Sequence, residues 1–162
     1  MSEVLLTTIQ TPIGPFSIAA KQGRVIESTF GTVKGLQNKG RQVSFIPGIS
    51  IAVRRYFSGD HKALDSIPVE LDVDGFRGKV LTQMRKIRPG AALTYQALAR
   101  KAGSPRASRA VGSACARNPI PLIYPCHRVL PSSGGIGNYG YGSEKKRWLL
   151  EFEGAIEPTS RP

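Results

Sequence analysis

Two short helices joined by a glycine turn are predicted by one stretch of the sequence, residues 94–117, which reads TYQALARKAGSPRASRAVGSACAR. Thr94 can cap the first helix with its hydroxyl oxygen, and Gly103 can supply the turn. Ser104 followed by Pro105 is typical of the start of a second helix. The serine hydroxyl can accept a hydrogen bond from an unpaired backbone amide of the first turn, and proline has no amide hydrogen that would need a partner. Such a pair matches the helix-turn-helix pattern, although many helical hairpins look similar. The stretch predicts a helical C-terminal half and leaves DNA binding open.

Positive charge is concentrated in the same half of the chain. The net charge is +12; residues 77–162 carry 15 Lys/Arg against 4 Asp/Glu, whereas residues 1–76 carry 8 against 7. No acidic residue lies between Asp74 and Glu144. A surface of one sign favours phosphate, because each neutralised phosphate releases condensed counterions. Nucleic acid is the favoured partner, while a role in solubility, an acidic partner or anionic lipid remains open on charge alone.

The N-terminal part is predicted to be rich in β-structure. Residues 4–9, 16–20 and 24–30 read as strands separated by short turns, which favours a small antiparallel meander. Residues 31–42 lack periodicity and are predicted to be a loop. Apolar residues at helical spacing predict a helix over residues 49–57.

The composition changes near residue 75. A short strand at 68–71 is followed by a predicted linker at 72–78, and helical spacing resumes at 80–87 before it stops at Pro89. The expected fold class is therefore α+β. A β-rich N-terminal domain over residues 1–75 would precede a mostly helical C-terminal domain over residues 76–162.

The tetrapeptide Pro125-Cys126-His127-Arg128 is the strongest candidate for chemistry. A thiol becomes a good nucleophile when a base or a positive charge lowers its pKa, and His127 and Arg128 could supply both. A histidine that relays a proton also needs an orienting acceptor. The candidates are Glu144, Glu151, Glu153 and Glu157. An inert buried cysteine beside a structural histidine is the alternative.

Several classes of protein are disfavoured by composition. Cys115 and Cys126 are the only cysteines, so no disulfide framework is expected, and they do not combine with His61 and His127 into paired zinc-ligand spacing. No apolar run approaches the roughly 20 residues that span a bilayer, and the N-terminus lacks a secretory pattern. We expect an intracellular protein without metal, cofactor or membrane.

Several ordered blocks of the sequence resemble the O6-alkylguanine-DNA alkyltransferase family. They lie at 94–99, 108–114, 118–119, 125–129, 137–139 and 146–154, and together they cover roughly residues 76–154. Residues 11–15 and 56–59 resemble the family's small β-rich domain more weakly. The resemblance implies an RNase H-like N-terminal domain, a helix-turn-helix and an active-site loop.

The resemblance also implies direct, irreversible transfer of an alkyl group from O6 of guanine, less readily from O4 of thymine, to Cys126. His127 would act as a base through a water molecule, and Glu153 would orient it. Asn118 would brace the active-site loop. Tyr95 would help to rotate the target phosphate and would contact the flipped base. The partner implied is double-stranded DNA carrying O6-alkylguanine, bound by a monomer in the cytoplasm, or in the nucleus of a eukaryote.

Two further sets of site residues follow from the same resemblance. Arg109 would fill the space that the extruded nucleotide leaves in the duplex. It would belong to a recognition helix that binds the minor groove and has small residues around Arg109. The expected DNA-contacting residues are Tyr95, Ser104, Arg106, Ala107, Arg109, Ala110, Gly112, Ser113 and Arg128. The expected substrate-pocket residues are Val129, Tyr139, Gly140 and Tyr141. A small residue is frequent in the family where Tyr141 stands, so Tyr141 is expected to restrict bulky adducts.

Three other functions are each disfavoured by a feature of the sequence. A lesion sensor related to this family would replace the acceptor cysteine, whereas Cys126 is present. A regulator that senses alkylation or oxidation is weakened by the lack of a dimerisation segment. A cysteine hydrolase is disfavoured because adjacent Cys126 and His127 are poorly arranged for a catalytic triad.

Overall fold

A computed structural model describes residues 2–158, and the chain forms two compact units. The first unit contains residues up to Asp72 together with the segment 119–123, and the second contains 73–118 and the residues from Tyr124 onward. The prediction of two continuous domains needs correction at the segment 119–123, which belongs to the first unit. The reason is visible at Ser28, whose amide and hydroxyl donate to the carbonyls of Pro119 at 3.0 Å and Pro121 at 2.8 Å.

The first unit is built on a four-stranded sheet. Its strands are β1 (Val4–Thr11), β2 (Gly14–Lys21), β3 (Arg24–Phe30) and β4 (Arg41–Gln42), in the order β3-β2-β1-β4. The first three pair antiparallel, so the predicted meander is confirmed, whereas β4 pairs parallel to β1.

Helix α1 (Ile49–Phe57) also confirms its prediction. Ile49, Ala52, Val53 and Tyr56 are buried, whereas the Arg54 and Arg55 side chains are exposed. Two other predictions for this unit were wrong. The segment 31–42 contains a 3-10 turn at Val33–Gly35 and β4, and the strand expected at 68–71 is reduced to a single bridge between Val69 and Val25.

The second unit is mainly helical. It contains α2 (Gly75–Arg85), β5 (Leu93–Thr94), α3 (Tyr95–Lys101), α4 (Ser108–Ala116), β6 (Val129–Leu130) and α5 (Ser143–Glu153). The short strands β5 and β6 pair parallel and were not predicted. Helix α2 begins inside the predicted linker at 72–78, because Val80, Leu81 and Met84 bury a face that needs the preceding turn. In sum the protein is a mixed α/β structure with five α-helices in its described part.

The region between α3 and α4 differs from the prediction at one end. Thr94 caps α3 as expected, since its Oγ1 accepts from the amide of Ala97 at 3.0 Å. Helix α4, however, begins at Ser108 rather than Ser104. The amide of Ala107 donates to the carbonyl of Ser104 at 3.0 Å, so Pro105 lies in a tight turn, to which its fixed φ is also suited.

No helix within residues 2–158 is long and apolar enough to cross a membrane.

Candidate active site and DNA-facing surface

The candidate nucleophile lies in a 3-10 turn, Cys126–Arg128, that enters β6. All three side chains of the turn are buried: Cys126 is 6% exposed, His127 is 0% and Arg128 is 4%. Pro125 precedes the turn and fixes its entry, because the proline ring restricts φ. The turn therefore holds the thiol and the imidazole in a single, shielded arrangement.

His127 and Glu153 meet although 26 residues separate them in the sequence. Nε2 of His127 lies 2.9 Å from Oε2 of Glu153, which is on the last turn of α5. Of the four carboxylates considered from the sequence, Glu153 is the one that bonds His127. The other ring nitrogen, Nδ1, is buried and has no hydrogen-bond partner among residues 2–158. Since an ionised carboxylate only accepts, Nε2 carries the proton and Nδ1 presents a lone pair.

Ionisation of this pair follows from its surroundings. Burial lowers the pKa of His127, against the opposing effect of the Glu153 charge. The pKa of Glu153 is lowered because His127 and Arg128 together outweigh the effect of its burial. Glu153 is therefore a carboxylate and His127 a neutral imidazole near neutral pH.

Arg128 does not lie on the surface. Its Nε and Nη2 donate to Oε1 and Oε2 of Glu153, each at 2.8 Å, and its Nη1 donates to the carbonyl of Ile87 at 2.6 Å. This arrangement does not favour the expected contact of Arg128 with DNA, because the guanidinium is bonded to buried acceptors.

Asn118 connects the start of the loop to the thiol. Its Nδ2 donates to the carbonyl of Tyr124 at 2.8 Å, and its side chain also hydrogen-bonds Cys126. Burial raises the pKa of the Cys126 thiol, although the Asn118 bond and the charge of Lys146 act in the opposite direction. The resting side chain is thus a thiol, and a nearby base is needed to make the thiolate.

Tyr95 and Cys115 share the electrostatic environment of Cys126. Tyr95 opens α3 and is half-buried; burial raises the pKa of its hydroxyl, and the two cysteines add to the effect. Burial raises the pKa of Cys115 to about 12. Cys115 therefore stays protonated near neutral pH.

The expected pocket residues are only partly sequestered. Val129 is buried, Tyr139 and Tyr141 are half-buried, and Gly140 is exposed. The rings of Tyr139 and Tyr141 meet edge to face with centroids 5.6 Å apart. This aromatic contact lies in the glycine-rich loop, residues 134–142, and restricts the ring of Tyr141.

The outer face of α4 is basic and has small side chains. Arg109, Ala110 and Ser113 are exposed, as is Arg106 in the preceding turn. Gly112 is open to close approach, since a Cβ at this position would meet no atom within 4 Å. The remaining expected members, Ser104 and Ala107, are half-buried. Four of the nine expected DNA-contacting residues are therefore exposed, four are half-buried and Arg128 is buried.

A sequence profile described as "6-O-methylguanine DNA methyltransferase, DNA binding domain" matches residues 75–155. A methylated-DNA–protein-cysteine methyltransferase of Metallosphaera sedula is 34% identical over 92% of each chain. The chain belongs to the O6-methylguanine-DNA methyltransferase family. An O6-methylguanine methyltransferase structure from Mycobacterium tuberculosis covers 97% of this chain and 96% of its own, with a TM-score of 0.81 at 29% identity.

A second structure in the O6-methylguanine-DNA methyltransferase family has a nucleic acid bound. The M. tuberculosis protein OGT in complex with DNA aligns over 94% of both chains, with a TM-score of 0.80 at 30% identity. The expected family resemblance is therefore confirmed over both units of the chain.

One buried residue of this family member was not singled out by its sequence. Lys146 is 0% exposed, and its Nζ donates to the carbonyls of Val129 at 2.8 Å and Asn138 at 3.2 Å. Burial lowers the pKa of its ammonium. Helical periodicity could have found it, because Lys146 shares the buried stripe of α5 with Leu149, Leu150 and Glu153.

Proposed function

We propose that this protein repairs DNA by moving an alkyl group from O6 of guanine, less readily from O4 of thymine, onto Sγ of Cys126. The observation that carries the proposal is the buried chain of contacts from the Cys126 turn through His127 to Glu153, in a member of a DNA methyltransferase family. Each molecule would act once, because the thioether formed at Cys126 has no route back to a thiol.

The chemistry uses the atoms described above. The bare Nδ1 of His127 takes the thiol proton, directly or through one water, and Glu153 stabilises the imidazolium that forms. The thiolate attacks the alkyl carbon, a carbon–sulfur bond forms, and the carbon–O6 bond breaks with its electron pair on the base. A proton returned to the base completes an unmodified guanine. Tyr95 and the backbone amide of Gly140 would donate to N3 and O6 of the leaving base.

Access to O6 requires the nucleotide to leave the stack, because the sulfur needs an in-line path to the alkyl carbon. We infer that α3 and α4 form the helix-turn-helix that binds the minor groove with the exposed face of α4. Arg109 would enter the duplex in place of the extruded base, and Ala110 and Gly112 would allow the backbone to come close. Binding by this basic face, which comes from a stretch without acidic residues between Asp74 and Glu144, should weaken steeply with salt.

The remaining expectations are part of the same proposal. The first unit would be the RNase H-like domain of the family. The protein would act as a monomer, in the compartment that holds the DNA.

Mass spectrometry of the protein after mixing with duplex DNA that contains one O6-methylguanine tests the proposal. We expect one added methyl group, located on the peptide with Cys126 and absent in Cys126→Ala. Cys115→Ala is the matched control and should still accept the group. Tight lesion binding without a mass change would replace the proposal with a lesion sensor, and neither binding nor transfer would refute it.

A further inference from the structure

Arg128 brings a full positive charge into the interior beside the candidate base. Its guanidinium forms a two-pronged pair with Glu153, with both N–O distances at 2.8 Å, and a third bond to the carbonyl of Ile87. Glu153 Oε2 is shared, because it also accepts from Nε2 of His127 at 2.9 Å. Two ionisable side chains, His127 and Arg128, therefore meet the carboxylate of Glu153 in a site with almost no exposure to water.

The charge balance of this trio depends on Arg128. With Arg128 and Glu153 ionised and His127 neutral, the three groups sum to zero. Without the guanidinium, Glu153 and His127 would carry a net negative charge in a buried site, which is costly. The pair would restore neutrality by binding one proton, shared between the imidazole and the carboxylate. A proton held there occupies the base before the thiol can use it.

We propose that Arg128 is a positioning residue for alkyl transfer, which neutralises Glu153 and so keeps His127 uncharged with Nδ1 free to accept the proton of Cys126. The inference rests on the proposed function for its link to the reaction, but its electrostatic part stands on the geometry alone. It assigns Arg128 a role inside the protein in place of the expected contact with DNA.

The charged groups that face His127 act in opposite directions. Lys146, on the same helix as Glu153, adds a second buried positive charge that disfavours protonation of His127. Arg128 disfavours it too, and Glu153 is the group that favours it. Cys126, next in the chain, is a thiol at rest. Removing Arg128 therefore shifts the balance toward protonated His127.

The direct test is the protonation state of His127, read from the ring ¹⁵N chemical shifts by NMR in the DNA-free protein between pH about 5.5 and about 8.5. We expect a neutral ring with the proton on Nε2 in the wild type throughout this range. In Arg128→Met we expect a protonated ring at pH 7. Arg54→Met, which removes an exposed arginine of α1, is the control for a general loss of charge and should match the wild type.

The functional readout is the single-turnover rate of methyl transfer from duplex DNA against pH. We expect Arg128→Met to be slower than wild type by at least about tenfold at pH 7 and to recover as pH rises, since each pKa unit changes the neutral fraction about tenfold. A merely structural role would lower the rate by the same factor at all pH values. Arg128→Lys, which retains the charge but not the fork, should keep a profile close to that of wild type.

A second variant keeps the proposal testable if Arg128→Met folds poorly. The double variant Arg128→Met/Glu153→Gln removes both charges of the pair, so its His127 should return to the neutral ring at pH 7.

The proposal is overturned if His127 stays neutral in Arg128→Met over the whole pH range, or is protonated in the double variant. A weaker affinity for DNA with a smaller salt dependence in Arg128→Met would instead support the surface role. If the wild type transfers no methyl group, the proposed function fails while the NMR outcomes still decide the charge argument.

Discussion

Replacing Lys146 with methionine removes a buried ammonium and retains most of the side-chain volume. The variant loses two charge-assisted hydrogen bonds, to the carbonyls of Val129 and Asn138. Asn138 is partly exposed and can bond water instead, whereas Val129 is buried and its carbonyl would lose its partner, which costs about 1–3 kcal/mol. Relief from burying the ammonium offsets part of this cost. We expect a net loss of about 1–2 kcal/mol in the free energy of unfolding at pH 7.

Thermal and urea unfolding measure this effect. For a chain of this length, about 1–2 kcal/mol corresponds to a fall in Tm of roughly 2–8 °C. Lys145→Met is the matched control, since its side chain is partly exposed and has the same charge. We also expect slower methyl transfer, because the charge of Lys146 acts to lower the pKa of Cys126 and its ammonium ties Asn138 of the glycine-rich loop to Val129 beside the Cys126 turn. Equal stability and equal rates for the two variants would refute the argument that Lys146 holds this loop.

Three further changes test other parts of the structure. Tyr141→Ala should raise the ratio of benzyl to methyl transfer rates by at least about tenfold, since an open pocket admits the larger group, and comparable wild-type rates on both adducts would count against this role. Arg109→Ala should slow transfer from duplex DNA on the order of tenfold or more, because unstacking costs a few kcal/mol, yet leave the reaction with free O6-benzylguanine unchanged; equal slowing on both substrates would contradict it. Burial lowers the pKa of His127 from its ordinary 6.5, so the unfolded chain binds the proton first and the free energy of unfolding should fall as pH drops below about 6.5. Urea unfolding at pH about 5.5 and about 7.5 should show this fall in wild type and a smaller one in His127→Asn, and identical slopes would exclude the assignment.

Local patterns predicted the elements whose stability is local. The β1–β3 meander, α1 and the Thr94 cap follow from alternation, helical spacing and hydroxyl chemistry, and each is present. The start of α4 was misplaced because Ser104 and Pro105 suit a turn as well as a helix, and only the tertiary context selects one. The parallel pairing of β5 with β6 joins two-residue strands that are far apart in sequence, so no local pattern could reveal it.

The candidate site shows the same division. The family resemblance was enough to choose Glu153 as the hydrogen-bond partner of His127, and the two side chains lie 2.9 Å apart in the structure. It was not enough for Arg128, whose charge suggested a surface. Composition cannot distinguish a basic side chain that faces solvent from one that neutralises a buried acid. That distinction depends on tertiary contacts, here those of Arg128 with Ile87 just after α2 and with Glu153 at the end of α5.

Residues 119–123 belong to the first unit although they interrupt the second in sequence, and this matters for producing the two units as separate proteins. A single cut after Asp72 does not release two whole pieces. The N-terminal piece would lack the carbonyl acceptors of the Ser28 amide and hydroxyl. The C-terminal piece would expose the apolar side chains of Ile120, Leu122 and Ile123 to water. Asn118 and Tyr124, however, are already joined by a 2.8 Å hydrogen bond. Excising the five residues between them and closing the gap with a short glycine linker is therefore the change with which to produce the second unit on its own.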